Sequence, residues 1–356
     1  MNKDSTCRIE TGDFVRSSWQ GPNWTPYAEA IAAYYPIQVP WYLSTPVTLP
    51  DGGAIPSRLT RTTRPYQHDV LIFGFAALIN NVPLQPDNGD FIYLNITHKE
   101  TGIPWVAPNT IGYSPLPAFA GVNLPSLGAS FANLSAMPVL RLPEAFFLPA
   151  RTILKLDWTY MFATSVGINL SAVLTMVGTQ LINPKAGFRA PTHVTMTNGD
   201  VIPVGSRLPW FATVPFGERP AGPGTRQINN FTLPIGQQRL QFLPPANCTV
   251  EIHDTYANFL NTATAFDQAG SGFDPSFLTC KFTDKRSPDD WTPGLSPTTA
   301  VFGSETQVNP AMPFTMPHEL HTGHRTGIIE QNNTTAVAGQ VNQGTITFRG
   351  VRFCEF

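Results

Sequence analysis

Apolar residues along this chain gather in short runs bounded by Pro, Gly, Asn and Asp, and the spacing within those runs is that of strands rather than helices. Asp69-Val70-Leu71-Ile72-Phe73-Gly74-Phe75 is a compact apolar run, the pattern of a strand buried on both faces. Asp87-Asn88-Gly89-Asp90 precedes Phe91-Ile92-Tyr93-Leu94-Asn95-Ile96-Thr97, and an Asn-Gly pair before an aromatic and β-branched run predicts a hairpin. Two further strand pairs are predicted. Thr152 to Trp158 is matched with Ile168 to Leu181 across a loop around Ala163 to Gly167, and Thr326 to Glu330 with Thr345 to Phe353. Pro and Gly recur too often for long helices, so only short ones are predicted, at Tyr27 to Ala33 and around Ala257 to Phe266.

The pattern also repeats. Pro40-Trp41-Tyr42 with Pro46 returns as Pro209-Trp210-Phe211 with Pro215, 169 positions later. Phe146-Phe147-Leu148-Pro149 returns as Phe314-Thr315-Met316-Pro317 after 168, and Thr175 to Leu181 as Thr347 to Phe353 after 172. The chain contains seven Trp, so ordered agreement at nearly one spacing points to two tandem copies of one domain. The expected organisation is an N-terminal arm over 1–35, a first β-sandwich over 36–183, a linker over 184–204 and a second β-sandwich over 205–356. Many short strands with Pro-bearing turns predict an all-β fold of two tandem, internally duplicated jelly-roll-like sandwiches. Trp41, Trp210, Phe146 and Phe314 read as core anchors, and Gly178 and Gly350 as bulges or close approaches of another backbone.

Composition changes the picture of the surface. Charged residues make up 13% of the 356 residues, against about 25% in ordinary soluble domains. Phe is abundant at 24 copies and Pro at 35, so a free monomer would expose a sticky surface that neighbours are expected to cover. The arm, with Phe14, Val15, Trp19, Trp24, Tyr27, Tyr34 and Tyr35, is too apolar for a free tail and should fold back or reach a neighbour. The net charge of −2 supplies no general attraction to nucleic acid. Arg58, Arg61 and Arg64 would share one side of an extended, polyproline-like segment. Cys7, Cys248, Cys280 and Cys354 show no metal or redox spacing and read as free thiols of a reducing compartment. The polar start lacks a signal-peptide pattern, and no apolar run reaches the length of a membrane span.

With its doubled Pro-Trp-aromatic start, its Phe-x-[Leu/Met]-Pro turn and its closing strands at Leu174 to Leu181 and Ile346 to Phe353, the chain resembles virion proteins built from two jelly rolls in one polypeptide. It is also similar to β-sandwich structural proteins of tailed phages. The resemblance implies trimers in which two similar domains per chain give a pseudo-sixfold outline.

Candidate chemistry is sparse. His318-Glu319-Leu320-His321-Thr322-Gly323-His324 gathers three imidazoles and a carboxylate, but His-Glu-x-His is not the helical zinc spacing, and Pro317 and Gly323 oppose a helix. By the 168-residue repeat, this stretch is a short insertion in the loop after Pro317. Glu144, Asp157, Glu251, Asp254, Asp289 and Asp290 could pair for glycoside hydrolysis, though nothing in the sequence brings two of them together. Nucleophile-elbow, P-loop and dinucleotide fingerprints are absent. No catalytic, cofactor-binding or metal residue is therefore assigned, and His318, His321 and His324 are left open as to metal. The expectation is a non-enzymatic virion structural protein of a bacteriophage, a capsid shell or capsid-decorating subunit, made in the host cytoplasm. It would form a homotrimer or larger symmetric assembly with other virion proteins, without specific nucleic-acid binding or a membrane span. A phage neck or tail ring component is the alternative, and a carbohydrate-binding or hydrolysing β-sandwich a third reading.

Overall fold

The structure, a computed structural model, describes residues 25–49, 57–63, 66–80, 92–107, 112–123, 139–160, 170–217, 237–242, 248–261, 278–284, 296–297, 311–320, 327–333 and 342–354. The first half runs α1 (Pro26–Ala32), β1 (Ile37–Leu49), β2 (Ser57–Thr62), β3 (Asp69–Asn80), β4 (Ile92–His98), β5 (Ser114–Pro115), α2 (Leu116–Phe119), β6 (Gly121–Asn123), β7 (Leu140–Leu148), β8 (Leu154–Tyr160) and β9 (Leu170–Ile182). A small hairpin of β10 (His193–Thr195) and β11 (Val201–Pro203) follows. The second half runs β12 (Arg207–Gly217), β13 (Gln237–Phe242), β14 (Cys248–Asn261), β15 (Leu278–Asp284), β16 (Ser296–Pro297), β17 (Ala311–Leu320), β18 (Gly327–Asn333) and β19 (Asn342–Cys354).

The strand order is that of a jelly roll, twice. In the first half, β1-β9-β3-β7 forms one sheet and β2-β8-β4-β5 the other, with β6 added parallel to the far end of β3. In the second half, β12-β19-β14-β17 and β13-β18-β15-β16 repeat that order strand for strand. Apart from β4 with β5, β6 with β7 and β15 with β16, successive strands of each half thus lie in different sheets, and this corrects the hairpins expected from sequence. β3 and β4, β8 and β9, and β18 and β19 lie in different sheets and do not pair. Local alternation reports that a strand exists, whereas jelly-roll partners are far apart in sequence and leave no local mark. The Asp87–Asp90 turn itself lies outside the described residues.

Trp41, Val70, Ile72, Phe75, Phe146, Leu148, Leu174 and Met176 face Ile92, Leu94, Ile96, Leu154, Leu156 and Trp158 in the core between the first two sheets, all of them buried. Full removal of a large apolar side chain from water contributes about 1.5–3 kcal/mol, so these rings and branched chains dominate the stability of the sandwich. Short helix α1 forms as expected, with Thr25 capping the Ala28 N–H. The second expected helix is corrected over Ala257 to Asn261, where β14 continues in register with β19 as far as Asn342, and residues 262–266 lie outside the described residues. Ala257 to Asn261 alternate as well as they wind, and a fully paired neighbour decides the matter.

The two halves share an irregularity that explains the doubled glycines. β3 bulges between Ile72 and Gly74, and β14 between Ile252 and Asp254. Gly178 is paired with Trp41 on one side and Ile72 on the other, and Gly350 with Trp210 and Ile252. A Cβ at Gly178 would collide with the Leu71 carbonyl, and one at Gly350 with the Glu251 carbonyl. Close backbone approach at the bulge therefore demands Gly in both.

The same register corrects one of the repeats. Ile72 faces Phe146, whereas its counterpart Ile252 faces His318, so Phe146 corresponds to His318 and not to Phe314. The two Phe-x-[Leu/Met]-Pro strings are four positions out of step. Residues 314–317 instead match 142–145, the stretch that each edge strand inserts opposite the bulge.

The described end of the arm, residues 25–35, and the linker are folded onto the first sandwich, while Phe14, Val15, Trp19 and Trp24 lie outside the described residues. Tyr27, Ala28, Ile31, Ala32 and Tyr35 cover Leu71, Phe73, Phe147, Val177 and Leu181 on the outer face of the β1-β9-β3-β7 sheet, with Val194 of β10 joining them. The Tyr27 hydroxyl accepts the Gly205 N–H at 2.8 Å and points at the Pro203 carbonyl at 3.4 Å, tying α1 to the end of the linker. Burial pushes the Tyr27 hydroxyl up to about 12, so it stays a neutral donor.

Candidate assembly surface and the junction between the sandwiches

The outer face of the β12-β19-β14-β17 sheet is covered by the first sandwich. Phe211 donates its N–H to the Trp105 carbonyl at 2.9 Å and accepts the Ala107 N–H at 2.7 Å, a parallel bridge between the halves. Its ring lies 4.1 Å from that of Phe119, and Phe211 and Val351 are part of the first sandwich's core cluster. Beside it, the Ser114 hydroxyl lies 2.6 Å from that of Thr213, which lies 3.0 Å from that of Thr347. These hydroxyls are buried and satisfy one another, as polar groups removed from water must.

The rest of the junction is ionic. Arg207 grips Glu144 with two bonds of 2.7 and 2.6 Å, while its guanidinium lies 4.1 Å above the Phe353 ring. Glu144 belongs to the inserted stretch of β7. Burial raises its carboxyl above the usual range, and Arg207 offsets part of that rise. Arg349, itself buried, lies 2.9 Å from Asp254 and donates to the Arg141 carbonyl. Removing one partner from such a pair leaves a buried charge unmatched, at a cost of about 3–5 kcal/mol. The junction is thus a specific, desolvated contact and holds the two sandwiches in one orientation.

The corresponding outer face of the first sandwich has an open stretch. Tyr42 is 61% exposed, and Pro40, Ser44 and Pro46 beside it on β1 are exposed too.

Residues singled out from the sequence fall as follows. Trp41 and Trp210 are buried core residues, as is Phe146. Among the carboxylates, Asp157 lies 2.8 Å from Lys155 and accepts from the Thr60 hydroxyl at 2.6 Å. Glu251 lies 3.3 Å from His253, whose hydrogen bond holds its carboxyl below the usual range. With Glu144 on Arg207 and Asp254 on Arg349, each described candidate is held by a cationic or imidazole side chain. Asp289 and Asp290 lie outside the described residues.

The histidine segment corrects the expected loop. β17 runs through Leu320, so His318 and Glu319 are strand residues opposite Ile252 and Glu251. His321 and His324 lie outside the described residues, among which no group of three His, Cys, Asp or Glu could hold a metal ion. Arg58 and Arg61 belong to strand β2, in register with Thr159 and Leu156 of β8, and not to a polyproline-like segment, and Arg64 lies outside the described residues.

The expected free thiols are corrected at two positions. Cys248 and Cys354 are directly opposite on β14 and β19 and form a disulfide, with Cα atoms 4.2 Å apart. Their separation of 106 residues hid a pairing that sheet register creates, and closing a loop of that length stabilises by about 4.7 kcal/mol in the chain-entropy model. Cys7 lies outside the described residues. No described helix is long and apolar enough to cross a membrane.

No family model matches the chain, and no curated protein matches it. Among solved structures, a chain from the atomic structure of Sulfolobus Turreted Icosahedral Virus is similar, with 11% identity, a TM-score of 0.43, and coverage of 89% of this chain and 90% of that one. The enzyme peptide-N(4)-(N-acetyl-beta-D-glucosaminyl) asparagine amidase is similar at 11% identity and a TM-score of 0.30, covering 87% of this chain and 96% of that one. The Faustovirus major capsid protein follows at 8% identity and a TM-score of 0.26, with 91% and 92% covered. At these scores the likeness assigns no role to this chain, and its fold rests on the strand order and register above.

Proposed function

We propose that this chain is a virion structural protein, a capsid shell or capsid-decorating subunit that assembles as a homotrimer through its sandwich faces. The observation that carries the reading is the repeated jelly roll, whose two copies are locked by a buried junction into one rigid block. Two similar modules in a fixed orientation give each subunit six-fold-like contacts under threefold symmetry, which suits closed shells. Low charge and the exposed aromatic on β1 support a surface that is covered in use. The duplication itself is proposed as the origin of the matched bulges and glycines. The bacteriophage assignment rests on the resemblance in sequence alone.

A non-catalytic role belongs to the same proposal: Glu144, Asp157, Glu251 and Asp254 are engaged in ion pairs that hold strands and sandwiches together. Electron micrographs of the concentrated protein test the reading. Six-lobed closed particles, alone or tiled into sheets and shells, are expected, and isolated two-lobed particles at every concentration would overturn it.

A further inference from the structure

One buried cation has no counter-charge among the described residues, and it lies beside the disulfide. Arg352 is 4% exposed, and its Nε and Nη2 have no hydrogen-bond partner among the described residues. Desolvation pushes its guanidinium down to about 10. By contrast, Arg349 on the same strand is matched by Asp254, and Arg207 on the neighbouring strand by Glu144. A buried charge without a counter-ion is costly, and the disulfide next to it supplies a reason for keeping one.

Strand alternation places cation and disulfide on one face. Val351 belongs to the first sandwich's core cluster, and the Phe353 ring lies under Arg207, so both point toward the first sandwich. Arg352 and Cys354 therefore point the other way, to the inner side of their own sheet. Arg352 is in register with Val250, and Cys354 with Cys248 two residues back along β14. These are adjacent rows of that face, about 7 Å apart at the rise of a strand. The two cysteines differ in access, since Cys354 is half-buried and Cys248 is buried. A thiol therefore meets the bond from the Cys354 side, and the sulfur that leaves is that of Cys248. In apolar surroundings a thiolate is disfavoured and such a bond is inert. A guanidinium without an anion of its own reverses this, because the departing thiolate is the counter-charge that Arg352 lacks.

We propose that the Cys248–Cys354 disulfide is an exchange site for low-molecular-weight thiols, and that Arg352 is the residue that stabilises the thiolate formed. In the first step a thiolate RS− attacks the Cys354 sulfur, the S–S bond breaks, and its electron pair leaves on Cys248. A second RS− attacks the R sulfur of the mixed disulfide at Cys354, releasing RSSR and the Cys354 thiolate. Two RSH are thereby oxidised to RSSR while the protein disulfide is reduced. One thiol proton ends on Cys354 and the other in water, with Cys248 held as thiolate. The bond that opens staples the end of the last strand beside the junction, where the Cys354 N–H donates to the Ser206 carbonyl at 3.5 Å and Arg207 grips Glu144. The inference stands apart from the virion reading, which does not require it.

The test is the rate at which reduced glutathione opens this bond in the native, full-length protein at neutral pH. Alkylation stops the reaction, and mass spectrometry of the peptides carrying Cys248 and Cys354 keeps Cys7 and Cys280 out of the reading. Arg352→Met removes the buried charge at similar side-chain length, a change that buried unmatched charges tolerate well. It should slow opening by about five-fold or more, and Arg352→Lys, which keeps the charge, should restore most of the rate. In the reduced parent, alkylation of Cys248 should follow a pH midpoint at least about one unit below the ordinary thiol value of about 8.5. Arg352→Met should return that midpoint to the ordinary value or above. Equal opening rates in the parent and Arg352→Met, or a parent Cys248 midpoint that is not lowered, would overturn the proposal. So would a parent disulfide that glutathione leaves closed.

Discussion

At the scale of single residues, the junction assigns opposite roles to two neighbouring glutamates. Glu144 is buried and its carboxyl is raised, so its ionised form gains nothing from folding beyond what Arg207 returns. Glu251 is held below its ordinary value of 4.5 by the hydrogen bond from His253. A carboxyl depressed in the folded state contributes stability that is present above its unfolded value and is lost as pH falls through the folded one. Acid loosening of the junction should therefore run partly through Glu251. Melting temperature followed from neutral pH to below about pH 4, the ordinary carboxylate range, should fall more steeply for the parent than for Glu251→Gln. Parallel curves would contradict that role. These pairs were not legible in the sequence, where Glu144, Arg207, Asp254 and Arg349 are isolated charges up to 208 positions from their contacts. By contrast, Trp41, Trp210, Gly178 and Gly350 announced themselves, because a rare residue repeated at one spacing is visible without any fold.

At the scale of elements, strand existence was legible and strand partnership was not. The run from Asp69 to Phe75 lies in β3 and that from Phe91 to Thr97 largely in β4, yet the two do not pair with each other, because each binds strands distant in sequence. The disulfide leaves no mark in the sequence for the same reason, since register, not spacing, brings Cys248 to Cys354. The bulged crossing of β14 and β19 yields a sharp expectation. A methyl at Gly350 meets the Glu251 backbone, which has no free rotor with which to retreat. Gly350→Ala should cost at least about 1–3 kcal/mol, the range for forcing extra volume into a packed site. Chemical denaturation would show it as a lower midpoint, and an unchanged midpoint would mean that the two strands can separate without penalty.

At the scale of the whole molecule, arm, linker and junction all serve one end, a fixed relation between two similar sandwiches. α1 seals the outer face of the first sandwich beside β3 and β7, and Tyr27 reaches the linker end at Gly205, two residues before Arg207 enters the ion pair with Glu144. Rigidity of that kind is of little use to a solitary binding module. It matters to a subunit whose contacts must recur at set angles. The most direct measurement is the mass of the purified, full-length protein by light scattering across a concentration series at neutral pH. A discrete closed species, three times the 38.9 kDa chain mass, is predicted at the upper concentrations. A monomer throughout the series would contradict the account.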